Sequence, residues 1–119
     1  MHHTLVIGAS TKPHRYSFKA IERLRQHGHP VSAISRKEGR VADVDFQIGK
    51  PALEDIHTVT MYIAERHQSE EIEYILSLKP KRIIFNPGSE NRTFYKQAKE
   101  EGIEVLYACT LVLLSIGQF

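Results

Sequence analysis

Thr4-Leu5-Val6-Ile7 is a short apolar run rich in β-branched residues, and Gly8 halts it with a residue that turns sharply without a Cβ in the way. A small polar and cationic stretch follows, and an amphipathic pattern begins at Ser17. A buried strand, a tight turn and a helix start in that order predict an α/β unit. The same loop gathers hydroxyls (Ser10, Thr11, Ser17), cations (Lys12, Arg15) and the free amides of a helix start, the groups that hold an anionic phosphate. It contains no nucleophile and base pair.

The loop is an incomplete fingerprint. A dinucleotide-binding turn reads G-x-G-x-x-G, and here only the first glycine is present, with Ser10 and Pro13 at the other two positions. No G-K-[ST] follows at P-loop spacing. An ordinary strand-to-helix turn that uses glycine for geometry alone remains the competing reading.

Downstream, Phe18, Ile21 and Leu24 fall at helical spacing across Ser17 to His27, and Gly28 follows as a stop. Val31 to Ile34 predicts a second strand. Residues 35 to 56 are less regular, with an alternating edge strand at Val44 to Ile48 and one helical turn at Ala52 to Ile56. Strands are expected at Thr58 to Ile63, Arg82 to Asn86 and Ile103 to Leu106. Helices are expected at Gln68 to Leu78, at Asn91 to Glu101 with Asn91 as its cap, and at Thr110 to Ile116 with Thr110 as its cap. This alternation predicts five or six mostly parallel strands, the first of them central, with helices on both faces.

In such sheets a ligand sits beyond the carboxyl ends of the strands, where the chain switches sides of the first strand. The loops meeting there would be Gly8 to Ser17, Ser35-Arg36-Lys37, Tyr62 to Glu65 and Asn86-Pro87-Gly88-Ser89. An NAD site would place an acid after the second strand; this chain has Ser35, Arg36 and Lys37 before Glu38. Two cations there suit a ribose that carries a phosphate, as NADP and coenzyme A both do. The alternative is a pair of solvated cations beside a flexible Glu38-Gly39-Arg40. Tyr62, at the end of the central strand, either stacks on a base or fills the edge of the core.

At 119 residues, 41% hydrophobic and 25% charged, the chain fits one domain with one core. The net charge of +2 and the lack of a run of like charges do not suggest a nucleic-acid partner. No apolar run is long enough to span a membrane, and Met1-His2-His3 carries no export signal. The lone Cys109 excludes an internal disulfide, and with these features it leads us to expect a cytoplasmic protein. No histidine pair has the spacing of a zinc site. His14 could donate to a phosphate when protonated, and Cys109 could face a ligand thiol, but each also fits a residue without a role.

The chain resembles the CoA-binding domain family, small Rossmann-like proteins related to the N-terminal domain of the succinyl-CoA synthetase α subunit. The residues that carry the resemblance are Gly8-Ala9-Ser10 with Pro13, Arg15 and Ser17; His27-Gly28-His29-Pro30-Val31; Asn86-Pro87-Gly88-Ser89-Glu90-Asn91; and Gly102-Ile103-Glu104-Val105 with Ala108-Cys109-Thr110. They span nearly the whole chain in order. The resemblance implies a single-domain, Rossmann-like, doubly wound α/β fold over residues 1–119 and coenzyme A, or an acyl-CoA, as ligand. It implies that Gly8, Ala9, Ser10, Arg15 and Ser17 form the phosphate loop and that Asn86, Pro87 and Gly88 form a second ligand-side turn. The chain departs from the family pattern in two places: Ser35-Arg36 replaces a common Asn-Pro, and His57 replaces an acid before the Thr58 strand.

The expected cofactor-binding set is therefore Gly8, Ala9, Ser10, Lys12, Arg15, Ser17, Ser35, Arg36, Lys37, Tyr62, Asn86, Pro87 and Gly88, with no catalytic and no metal-binding residue. The leading expectation is a binding or regulatory module. A small NADP-dependent oxidoreductase or redox sensor, and a protein-interaction module that has lost its ligand, are the alternatives. The apolar segment Leu111 to Phe119 is the surface expected to meet a second copy or a protein partner.

Overall fold

All four residues of the first strand, β1 (Thr4–Ile7), are buried, because it is sandwiched on both faces and paired on both edges. A computed structural model describes residues 1–119. The chain runs β1, α1 (Tyr16–Gln26), β2 (Val31–Ile34), β3 (Arg40–Val41), β4 (Val44–Gln47), β5 (Thr58–Met61), α2 (Ile72–Ser77), β6 (Arg82–Phe85), α3 (Arg92–Glu100), β7 (Glu104–Tyr107) and α4 (Thr110–Ser115). The sheet has seven strands in the order β3-β4-β2-β1-β5-β6-β7, parallel throughout except for the β3-β4 pair. β1 is central, and the chain crosses from one side of it to the other between β4 and β5, which is the switch point of a doubly wound Rossmann-like sheet.

Side chains alternate across the strands and divide the core in two. Leu5 and Ile7 join Val59, Met61, Ile83, Phe85 and Val105 beneath Ile75 of α2 and Phe94 and Ala98 of α3. Val6 points the other way, to Ala33, Val44, Ile21 and Leu24 of α1, and Leu114 of α4. Burying one such Leu, Ile or Phe contributes about 1.5 to 3 kcal/mol relative to leaving it exposed.

Several expectations are corrected here. There are seven strands, not five or six, because the two-residue β3 folds back on β4 as a hairpin and takes over the sheet edge from it. Arg25 of α1 holds the hairpin tip with a two-pronged bond to Asp43, at 2.8 and 2.9 Å. Residues 52–56 form no helical turn; Ile56 is buried and Asp55 takes a positive φ of 57°. The helix expected from Gln68 is shorter, since a 3-10 turn at Glu65–His67 precedes it and Gln68 itself is fully buried by its polar contacts. Thr110 does not cap α4: Cys109 stands at the cap, and the Thr110 hydroxyl bonds Thr60 Oγ1 at 2.8 Å. Asn91 does cap α3, accepting from the Phe94 amide at 3.0 Å.

Candidate functional site

The phosphate-type loop owes its shape to Gly8. Its φ is +92°, and a Cβ there would lie 2.7 Å from Ile63 Cγ2 and 3.2 Å from the Tyr62 carbonyl. The turn is pinned from beneath, because the Gly8 and Ala9 amides both donate to the Ile34 carbonyl, at 3.1 and 3.0 Å. Beyond it the chain leaves donors free: the amides of Ser10, Thr11, Tyr16, Ser17 and Phe18 bond to nothing in the protein, and no side chain caps α1. The first turn of α1 also lacks an acid, so the positive end of the helix is not neutralised.

This loop forms one wall of a cleft of about 640 Å³ at the carboxyl ends of β1, β2 and β5. Gly8, Ala9, Ser10, Lys12, Arg15 and Ser17 line it, as do Ser35, Arg36 and Lys37 from the loop after β2, Tyr62 after β5, and Pro87 and Gly88 after β6. Twelve of the thirteen expected residues thus come together, Asn86 being the exception. The Asn86 side chain is spent inside the protein, donating to Thr60 Oγ1 at 2.7 Å and the Met61 carbonyl at 2.9 Å and accepting from the Thr110 amide at 2.9 Å. It clips β5, β6 and α4 together beneath the cleft.

Lys12, Arg15, Arg36 and Lys37 share the cleft with one acid, Glu38, and none of the four takes part in an ion pair. Arg36 reaches across to His67 Nδ1 at 3.4 Å. The loop that carries Arg36 is not free. Its Ser35 amide donates to the Gln47 carbonyl at 3.0 Å, and the Gly39 carbonyl accepts from the Phe46 amide at 2.8 Å, so β4 holds it at both ends. Gly39 and Arg40 are thus tied to β4, unlike the flexible segment of the alternative reading.

Tyr62 lines the cleft and also packs on the α1 side of the core. Its hydroxyl is buried without a hydrogen-bond partner, and burial pushes its pKa up to about 12 although the Thr110 and Thr60 hydroxyls lie near. His14 is exposed outside the lining, and the half-buried Cys109 is outside it too.

One residue that lines the cleft, Phe46, and one buried behind it, Gln68, escaped the sequence reading. Phe46 supplies an aromatic wall, and its alternation with Val44 along β4 was the available signal. Gln68 carried no signal: its amide donates to the Ile63 and Ser89 carbonyls at 2.9 and 2.7 Å, and it accepts from Asn91 at 3.1 Å. It thereby ties the walls after β5 and β6 to each other.

Comparison with known proteins decides the family, since the pattern of the CoA binding domain matches residues 2–115. The chain belongs to the CoA binding domain family. Members share the Rossmann-like layout found here, and the crystal structure of an uncharacterized protein superposes with a TM-score of 0.97 at 46% identity, covering 100% of this chain and 98% of that one. A hypothetical protein from Pyrococcus horikoshii OT3 is similar at TM-score 0.82 and 22% identity, over 92% of this chain and 78% of that one. A Thermus thermophilus protein matches at TM-score 0.83 and 19% identity, over 99% and 90%. At those two identities the likeness speaks to the fold alone. No curated protein matches the chain.

Proposed function

We propose that residues 1–119 act as one coenzyme A-binding unit, taking coenzyme A or an acyl-CoA in the switch-point cleft as a binding or regulatory module. The observation that carries this reading is the convergence of four unpaired cations from two separate loops on one cleft. Like charges brought together without counterions repel, and an anionic ligand relieves that cost. The diphosphate suits the Gly8 to Ser17 loop, where free amides and the end of α1 add to Lys12 and Arg15. The 3′-phosphate suits Arg36 and Lys37.

NADP meets the same cations through its 2′-phosphate and is the second reading. No helix of the protein is long and apolar enough to cross a membrane. On the free thiol of Cys109 we assign a cytoplasmic place of action. Val112 of α4 and Ile116 just after it, both exposed, are the surface we assign to a second copy or a protein partner.

Ligand-dependent thermal shift and calorimetry test the reading. Coenzyme A at about 100 times its dissociation constant adds roughly 2.7 kcal/mol of stability, a rise of several degrees for a chain of this size. Coenzyme A should bind about tenfold to a hundredfold tighter than dephospho-coenzyme A, the worth of a charge-assisted hydrogen bond. Arg36→Ala with Lys37→Ala should abolish that ratio and leave dephospho-coenzyme A binding nearly unchanged. A larger shift with NADPH moves the assignment to an oxidoreductase, and no shift with either ligand leaves the protein-interaction reading.

A further inference from the structure

Glycines at the two ends of the site are there for different reasons. Gly8 answers a backbone need, whereas Gly39 has no left-handed φ and answers a need for space. A Cβ at Gly39 would lie 2.5 Å from Thr11 Cγ2 and 3.0 and 3.1 Å from Cδ2 and Cε2 of the Phe46 ring. Thr11 belongs to the phosphate-type loop and Phe46 to β4, so Gly39 is the point where the two cationic loops touch. The loop after β2 has little freedom to back away, because the Ser35 amide and the Gly39 carbonyl are both bonded to β4 and the Lys37 amide donates to Ser35 Oγ at 3.3 Å. Any side chain at this position must therefore push on Thr11 and on the Phe46 ring, turning the Thr11 side chain or shifting the loops that carry Thr11 and Arg36-Lys37.

We infer that Gly39 is a positioning residue for ligand selectivity: its missing side chain sets the gap between Lys12 and Arg15 on one wall and Arg36 and Lys37 on the other. One ligand then spans both, its diphosphate on the first wall and its ribose phosphate on the second. The inference rests on the coenzyme A reading. It adds that the 3′-phosphate preference depends on a residue that presents no donor to the ligand.

The test is a double-mutant cycle with Gly39→Ala and Thr11→Ser, the second removing the methyl that the new Cβ would strike. Dissociation constants for coenzyme A and dephospho-coenzyme A are measured by calorimetry on all four proteins, and thermal midpoints are recorded alongside. Gly39→Ala should cut the preference for coenzyme A by about threefold to tenfold, because charge-assisted hydrogen bonds weaken steeply when moved off geometry. In the Thr11→Ser background the same change should cost clearly less, since the remaining contacts with Phe46 yield to shifts of a few tenths of an ångström. A glycine needed only for folding would lower the midpoint and leave the ratio alone. If Gly39→Ala does not fold, Thr11→Leu probes the gap from the other wall and should reduce the same ratio.

An unmutated protein that prefers coenzyme A, with a ratio unmoved by Gly39→Ala or by Thr11→Leu, overturns the role of Gly39 alone. Equal costs of Gly39→Ala in the two backgrounds overturn the Thr11 contact as its basis. An unmutated protein that binds both ligands equally overturns the 3′-phosphate reading, and this inference with it.

Discussion

The two ends of the sheet carry similar residues and treat them in opposite ways. At the amino ends of the strands, His2, His29, His57, Arg82 and Phe119 pack into one cluster. The His2 and His57 rings stack at 3.8 Å, and the Arg82 guanidinium lies 4.5 Å from the centre of the Phe119 ring. Most polar groups there are used up: the His2 amide donates to His29 Nδ1 at 3.0 Å, Arg82 Nε donates to Thr58 Oγ1 at 3.0 Å, and Thr58 Oγ1 meets His57 Nδ1 at 2.8 Å. At the carboxyl ends, four cations stay without an ion-pair partner, and a row of amides without any partner, around an open cleft. Basic residues alone do not mark a site; basic residues left unpaired at the positive end of a helix do, since that placement costs energy until an anion arrives.

The largest expected effect comes from the backbone of the cleft. Gly8→Ala forces a Cβ into a left-handed residue and against Ile63, a combined strain and overpacking cost of roughly 3 kcal/mol, and should depress the denaturation midpoint and abolish coenzyme A binding together. A variant of wild-type stability would show that this turn relaxes freely.

Asn86→Ala separates support from contact. It strips partners from the buried Thr110 amide and the Met61 carbonyl at a cost of about 2 kcal/mol, read as a lower urea midpoint. The ratio of coenzyme A to dephospho-coenzyme A affinity should stay put, the reverse of what the Arg36 and Lys37 substitutions do. A changed ratio would place Asn86 on the ligand.

The smallest effect belongs to the amino end. Burial above all holds His2, His29 and His57 below the ordinary imidazole value of 6.5; repulsion from His2 adds to it at His29 and His57, from His27 at His29, and from Arg82 at all three. Lys81 and the Met1 amine add to this, and Glu104 opposes it at His57. The folded protein therefore favours the neutral rings while the unfolded chain takes up protons near 6.5, so this stabilisation is full above that pH and is lost as pH falls through the lower folded values. Chemical denaturation between about pH 7.5 and pH 5 should show stability falling with pH. His29→Asn, which keeps an acceptor for the His2 amide, should make the fall shallower; an unchanged slope would remove His29 from the cause.

The layout of the chain was legible because it rests on local patterns. Runs rich in β-branched residues mark β1, β2, β5 and β6, and Gly8 and Pro87-Gly88 close the first and the last of them. The 3.6-residue period of Phe18, Ile21 and Leu24 marks α1, and Asn91 marks the start of α3. The errors fell where local preference was weak: the two-residue β3 exists only because β4 is there to pair with, and the stretch before α2 breaks because Gln68 is drawn inward by three partners more than twenty residues away or in a neighbouring loop.

The same division holds for the site. The four loops were identifiable from their place after the strands of a parallel sheet, and the cations and glycine that furnish them are plain in the sequence. Which groups remain available to a ligand was decided by tertiary contacts. Asn86 and Arg36 both follow strands, yet one is spent on Thr60, Met61 and Thr110 and the other stands in the cleft. Gly39 passes as a loop glycine until Thr11, twenty-eight positions earlier, is found against it. A residue type reports what a side chain can bond to, and only the packed fold determines which of those bonds are already made.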